Sequence, residues 1–405
     1  MRLLTLTGLL TITLLSTEAQ ILTREDSLQA NLSTRDANTF ISGYGELKAE
    51  YDFNDETAHT NVTRSVLFVG HRFNNKISFF SELELEDAKI EGGEAGGELA
   101  LEQFYLRFNI CRNTYITAGL FTPRIGIINE NHLPTTYYGN NRPYVERLII
   151  PATWREIGVS IYGSINNING LNYTFGIVNG LNSAGFENGT GIRGGRFEGS
   201  DATASNLAAT GSLLYYLKDF RFQVSGYYGG TVGLNKRDAD SLNLESGPFG
   251  TPISLVEANV QYTGKLLTFR ALFAQVMIPD AESINNAYAS NTPESFYGAY
   301  AEAGLNLMYL FNKETKKSLN LFARYETMDL NKQIPSNGIE NDLNKKDFIT
   351  AGLTFQPIHG VIIKADYVFS KTGEPNPKLI LNPSPQAPAF QSTNGFFNLG
   401  FGYSF

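Results

Sequence analysis

The chain closes on a segment, Asn394 to Phe405, in which Phe397, Leu399, Phe401, Tyr403 and Phe405 alternate with Asn398, Gly400, Gly402 and Ser404. Such a period specifies a strand with one apolar and one polar face. In water the apolar face needs a second layer to cover it. In a transmembrane barrel lipid covers it, and the polar face lines the interior. The same period recurs along the chain, and a recurring half-apolar strand leaves few other folds open.

Segments of this kind run Thr39 to Phe53, Thr63 to Phe73, Lys76 to Glu86, Glu98 to Asn109 and Thr114 to Phe121. After an interruption come Glu156 to Ser164, Leu171 to Asn179, Asn206 to Lys218, Phe220 to Thr231, Ile253 to Thr263 and Leu266 to Met277. Phe296 to Phe311, Ser318 to Leu330, Lys346 to Gln356, Gly360 to Lys371 and Gly395 to Phe405 complete the series. The total is about sixteen, and single-chain bacterial barrels have even strand numbers. Their connections alternate in length. Tight turns fall at 74–75, 110–113, 165–170, 219, 264–265, 312–317 and 357–359, and long loops at 54–62, 87–97, 122–155, 180–205, 232–252, 278–295, 331–345 and 372–394. A sandwich has no reason to put its long connections on one side, whereas an outer-membrane barrel has short turns in the periplasm and long loops outside. The expected fold is all-β: a transmembrane antiparallel barrel of about sixteen strands, one domain over residues 38–405.

The beginning of the chain agrees with export. Met1-Arg2, the apolar run Leu3 to Leu15 and Ser16 to Ala19 have the layout of a cleaved signal peptide over residues 1–19. Leu3 to Leu15 is shorter than the roughly 20 residues of a spanning helix. Residues 20–37 are then a periplasmic segment, and the expected location is the bacterial outer membrane. Aromatic content of 12% and 39 glycines suit aromatic girdles and curved strands. A net charge of -8 argues against nucleic acid as a partner, because phosphate backbones require a basic footprint. Cys111 stands alone, so neither an intramolecular disulfide nor a cysteine metal cluster is expected. Acidic loop residues such as Asp238, Asp240 and Glu245 read as solvated, bridging lipopolysaccharide through divalent cations; no metal site and no cofactor is expected. His59, His71, His132 and His359 are too scattered for barrel hydrolase chemistry, so no enzyme is expected.

Polar rows mark the interior. Glu257, Asn259 and Gln261 share a face, as do Lys364, Asp366 and Ser370; Asn320, Arg324 and Glu326; Glu82, Glu84 and Glu86; and Glu46, Lys48 and Glu50. A Lys or Arg on the lipid face would cost roughly 2–4 kcal/mol at the midplane, so these rows face inward. Barrels of this width leave an aqueous channel, and the interior is expected to be wet and charged in both signs. The wall residues expected there are Arg107, Arg221, Glu257, Arg270, Glu302, Arg324, Glu326, Lys364 and Asp366.

Loop 122–155 is the best functional signal. Loops beyond about 12–15 residues are uncommon unless functional, and this one carries Ile127, Ile128, Leu148, Ile149, Ile150 and the only Trp, Trp154. So apolar a loop is expected to fold inward and narrow the lumen. Arg124, Glu130, His132, Arg142, Glu146, Arg147, Arg155 and Glu156 are its candidate solute-facing groups, against the alternative that they pair and anchor it. A purely adhesive surface barrel has no use for such a loop. A substrate-specific channel would show an aromatic slide, which Tyr137, Tyr138 and Tyr144 could begin.

Thr117-Ala-Gly-Leu-Phe121, Asn129-Glu-Asn-His132, Tyr138-Gly139, Arg142-Pro143 and Ile149-Ile-Pro-Ala-Thr-Trp-Arg-Glu-Ile-Gly158 resemble a segment of the phosphate-selective porin O and P family, in its Bacteroidetes-type form. The resemblance implies a sixteen-stranded porin with inward-folded loops, commonly trimeric, that passes anions or small hydrophilic solutes passively. It also implies a ladder of arginines and a lysine cluster in phosphate-selective members. Here most lysines sit in turns or loops, and Arg107, Arg221, Arg270 and Arg324 are accompanied by Glu257, Glu302, Glu326 and Asp366.

Overall fold

A computed structural model describes residues 38–87, 97–379 and 389–405. The expected signal peptide, and the segment that follows it, lie outside the described residues. The strands are β1 (Thr39–Asp52), β2 (Thr57–Arg72), β3 (Ile77–Glu86), β4 (Glu98–Cys111), β5 (Thr114–Phe121), β6 (Glu156–Ser164), β7 (Leu171–Asn179) and β8 (Leu207–Leu217). They continue as β9 (Phe220–Gly229), β10 (Ile253–Thr263), β11 (Leu267–Met277), β12 (Ser295–Asn306), β13 (Ser318–Gln333), β14 (Lys345–Ile358), β15 (Val361–Thr372) and β16 (Thr393–Ser404). Each pairs antiparallel with its neighbours in sequence, and β1 closes the barrel on β16, with Tyr44 opposite Ser404 and Asp52 opposite Phe396. The last residue completes the seam: the Phe405 amide donates to Gly43 O at 2.9 Å. Closure leaves no edge strand, which a barrel in lipid requires because bare backbone groups find no water there.

The period-two pattern decides which way each side chain points. On β16, Leu399 and Phe401 are about half exposed while Asn398 is fully buried. The rows containing Glu82 and Glu84, Glu257 and Asn259, Arg324 and Glu326, and Lys364 and Asp366 all turn inward and are buried.

Two elements differ from the sequence expectation. The first outer connection is not a long loop: β2 begins at Thr57, so residues 53–56 form a tight turn. Residues 57–62 lack an apolar period, but the exposed ladder of β1 extends them, with Tyr51 paired to Ala58. The strand expected over Phe296 to Phe311 ends at Asn306. Its side chain accepts from Tyr309 N and caps a short helix, Leu307–Phe311.

β-Bulges change the parity at several places, and two of them set which side chains meet the loop. Glu82 pairs with Gln103 but Leu83 with Leu101, so Glu102 is the extra residue. Glu102 and Gln103 therefore both face inward, while Leu101 and Phe104 both face out. A second bulge, at Thr63, brings Arg64 inward.

The interior is not the uniformly wet space that strand number suggests. At the level of loop 122–155 it is a packed apolar core. Ile125, Ile128, Ile149, Ile150 and Trp154 pack with wall residues that include Phe68, Phe80, Tyr227, Leu255 and Phe296.

Candidate functional site: the inward loop and its wall

The loop's apolar side chains drive it into the barrel, and its polar backbone must then be satisfied there. Buried carboxylates do this. Glu146, in the loop's short helix Tyr144–Leu148, accepts from Ile127 N at 2.9 Å, Ile128 N at 2.6 Å and the Tyr300 hydroxyl at 2.6 Å. Glu257 accepts from Gly126 N at 3.3 Å, from Asn259 Nδ2 at 2.6 Å and from the Ser225 hydroxyl. Glu326 accepts from Val145 N at 2.9 Å, and Asp366 from the backbone and side-chain nitrogens of Asn140 at 2.7 and 2.6 Å. Asn129 ties the two ends together: its Nδ2 donates to Pro123 O and Trp154 O, and its Oδ1 accepts from Trp154 N. Glu156 takes the indole N–H of Trp154 at 2.6 Å and the Asn179 amide. Burial pushes the Glu146 carboxyl up to about 7.

Cations meet these anions in a network. Arg324, 1% exposed, lies between Glu302 at 3.0 Å and Glu326 at 2.7 Å, and also donates to the loop carbonyls of Tyr138 and Asn141. Arg270 reaches Glu302 at 3.1 Å and donates to Thr136 O at 3.2 Å. The Lys364 ammonium stands 3.8 Å from the centre of the Tyr137 ring, and the Tyr137 hydroxyl donates to Glu46 at 2.9 Å.

On the opposite wall a stack of four planar groups forms. The Arg107 guanidinium lies 3.5 Å over Tyr115, whose ring stacks on Tyr162 at 4.8 Å and 8°, with Arg124 5.2 Å over Tyr162. Arg124 pairs with Glu130 at 2.6 Å, and Arg221, which donates to Gln223 at 2.7 Å, lies within Coulomb range of both. Buried nitrogens of Arg124 (Nη1) and Arg221 (Nε) have no hydrogen-bond partner among the described residues.

His132 is buried rather than displayed in an outer loop. Its Nδ1 is 3.2 Å from Asn129 O, and its Nε2 is 2.7 Å from the Tyr44 hydroxyl and 3.1 Å from Glu102. Burial opposes its charge, yet the Glu102 carboxylate prevails and raises the imidazole above its ordinary value. Glu82, Glu102 and His132 offer ligand-type atoms within 4.8 Å of one another, a grouping the sequence reading missed because the bulge delivers Glu102. The one available signal was the break in parity between Leu101 and Phe104, which are both large and apolar.

The outer end of the loop carries a collar of arginines. Arg142 donates to the Thr153 hydroxyl at 2.8 Å, and Arg147 is exposed. Arg193, from the loop after β7, donates to Arg147 O and Ala152 O, and Arg196 to Pro151 O and Thr153 O. Arg155 and Arg196 share one carboxylate, Glu198, at 3.0 and 2.5 Å. Burial, then the neighbouring Arg193, lowers Arg196 to about 10; burial, then Arg147, lowers Arg193 as well. Gly191 (φ +61°) brings this second loop close to the first, where a Cβ would lie 3.5 Å from Leu148 O.

A cavity of 190 Å³ lies beneath the loop residues Thr135 to Tyr138, between them and the tight-turn half of the wall formed by β10, β11, β13, β14 and β15. Of the seventeen expected residues, Glu146, Glu156, Glu257, Glu326 and Asp366 hold the loop, and Glu302 and Arg324 join them. Arg124, Glu130, Arg107 and Arg221 gather at the aromatic stack. Arg142, Arg147 and Arg155 belong to the collar. Arg270 reaches the cavity, Lys364 lies on Tyr137, and His132 joins Glu102.

A closed antiparallel barrel of sixteen strands, apolar outside and holding a folded loop inside, is the fold class of outer-membrane porins. Solved structures of this fold include an anion-selective porin from Comamonas acidovorans, 12% identical, covering 91% of this chain and 99% of that one at a TM-score of 0.53. The outer membrane channel DcaP of Acinetobacter baumannii is likewise 12% identical, with 91% and 97% covered and a TM-score of 0.53. An in-vitro folded OmpT of Vibrio cholerae, in a trimer form, is 12% identical over 91% and 100% at a TM-score of 0.51. At such identities the likeness is one of fold. No family model matches the chain. The chain belongs to the same family as an uncharacterized protein of Aquifex aeolicus (strain VF5), to which it is 32% identical over 343 residues, 81% of this chain and 74% of that protein.

Proposed function

We propose that this chain is a porin of the outer membrane through which small hydrophilic solutes diffuse passively, with a preference for anions. The observation that carries the preference is the collar: Arg142, Arg147, Arg155, Arg193 and Arg196 gather around residues 147–155 with Glu198 as the carboxylate in direct contact. Rings of like charge bias which ions enter a pore. Arg107, Arg124 and Arg221, with Glu130 paired to Arg124, extend an excess of positive charge inward from the collar. The resemblance of residues 117–158 to the phosphate-selective porins supports the same direction, and with it phosphate as one solute and a trimer as the assembly. The mechanism needs no cofactor: the loop sets the size limit and the arginines set the sign. In a planar bilayer under a potassium chloride gradient, the refolded protein should give an ohmic conductance with a reversal potential favouring chloride. Replacing both Arg193 and Arg196 by Gln should move that potential toward zero. A cation preference would overturn the anion reading, and an absence of conductance would favour a surface-interaction barrel.

A further inference from the structure

Resting on the channel reading above, we infer that the 190 Å³ cavity beneath the loop is a binding subsite for a small, neutral, polyhydroxylated solute. Its 190 Å³ is many times the roughly 10–15 Å³ that one water needs, so it has room for a small solute rather than a single water. Its lining is chemically specific. The charged side chain among the lining residues is Arg270, whose guanidinium is held by Glu302 at 3.1 Å and by Thr136 O at 3.2 Å, so the cavity offers a solute no uncompensated charge. The rest of its polar surface is hydroxyl and amide, including Gln261, Asn320, Thr354 and Gln356, each able to donate and accept. A polyol is the solute whose groups match such a lining one for one. Tyr138 adds an aromatic wall, fixed by its hydroxyl on Thr268 at 2.9 Å and by stacking on Phe322.

A second observation points to a missing partner. Thr354 is 1% exposed and lines the cavity, yet its Oγ1 has no hydrogen-bond partner among the described residues, a lack that a solute hydroxyl would remove. The placement also suits passage, because the residues of β10, β13 and β14 that line the cavity stand within a few positions of the tight turns, just under the narrowest packing.

The test reads binding, not current, so it is independent of whether the barrel conducts. Saturation-transfer NMR of glucose with the refolded full chain in detergent micelles should give a signal. Thr354→Val, which keeps shape and removes the hydroxyl, and Gln356→Ala should each weaken that binding about tenfold. Inorganic phosphate at equal concentration should leave the signal in place. No glucose signal, equal signals from the native chain and both variants, or loss of the signal to phosphate would each overturn the inference. The last result would make Arg270 an anion contact.

Discussion

At the residue scale, the buried carboxylates decide whether the loop stays in the barrel. Glu146 is the clearest, because its three donors all belong to the loop or the facing wall. Its folded value of about 7 lies above the ordinary 4.5, so the folded state binds the proton more tightly than the unfolded one. The contribution of Glu146 is therefore fully present below about 4.5 and is lost as pH rises through about 7. Loop-dependent current fluctuations should be rarer at pH 5 than at pH 8, and Glu146→Gln should lessen the difference. A larger fluctuation at pH 5 in the native chain would contradict this. Arg324 makes a complementary case. Removing it as Arg324→Met leaves Glu302 and Glu326 buried without their shared cation, which costs about 3–5 kcal/mol. A shift of that size should appear in the denaturant midpoint of refolding into vesicles.

At the element scale, the loop needs a seat, and β16 supplies it with glycine. A Cβ at Gly402 would lie 2.5 Å from Pro134 Cβ, and one at Gly400 would lie 2.3 Å from Asn140 Oδ1. Gly402→Leu should lift the loop from the wall at a cost of about 1–3 kcal/mol, read as faster tryptic cleavage at Arg147 in the folded protein. Unchanged cleavage would mean that the loop is seated elsewhere. Much of this level was legible in the sequence. β5, β6, β7 and β10 keep the bounds that period and turn residues gave, since in lipid only outward alternation satisfies a strand. The inward course of the loop followed from its own isoleucines. Glu102 and the first tight turn were not legible, because a bulge or a ladder extension is decided by the neighbouring strand. Nor could spacing say that Glu146 and Glu156 would anchor rather than face solute: their donors come from residues brought near only by the folded loop, such as Tyr300 and Asn179.

At the scale of the whole molecule, two opposed demands meet in one barrel. The outer wall satisfies lipid with Leu67, Val159, Phe175, Val224, Phe273, Ile349 and Leu399, all exposed. The inner wall holds charges of both signs, several of them paired, and the apolar loop core fills space that strand number alone would leave to water. On the proposed channel reading, a passage would be set less by the barrel than by what is folded into it, with an arginine collar at the outer end of the loop and a cavity below. That division of labour is testable by shortening the loop. Residues 134–142 replaced by a short Gly-Ser linker leave the core isoleucines in place, and folding of the variant can be checked by its mobility in unheated gels. The decisive measurement is single-channel conductance of this variant beside the native chain in the same potassium chloride solution. The variant should conduct several-fold more, with current fluctuations reduced. Equal conductance in the two proteins would show that the loop does not limit the passage, and would contradict this.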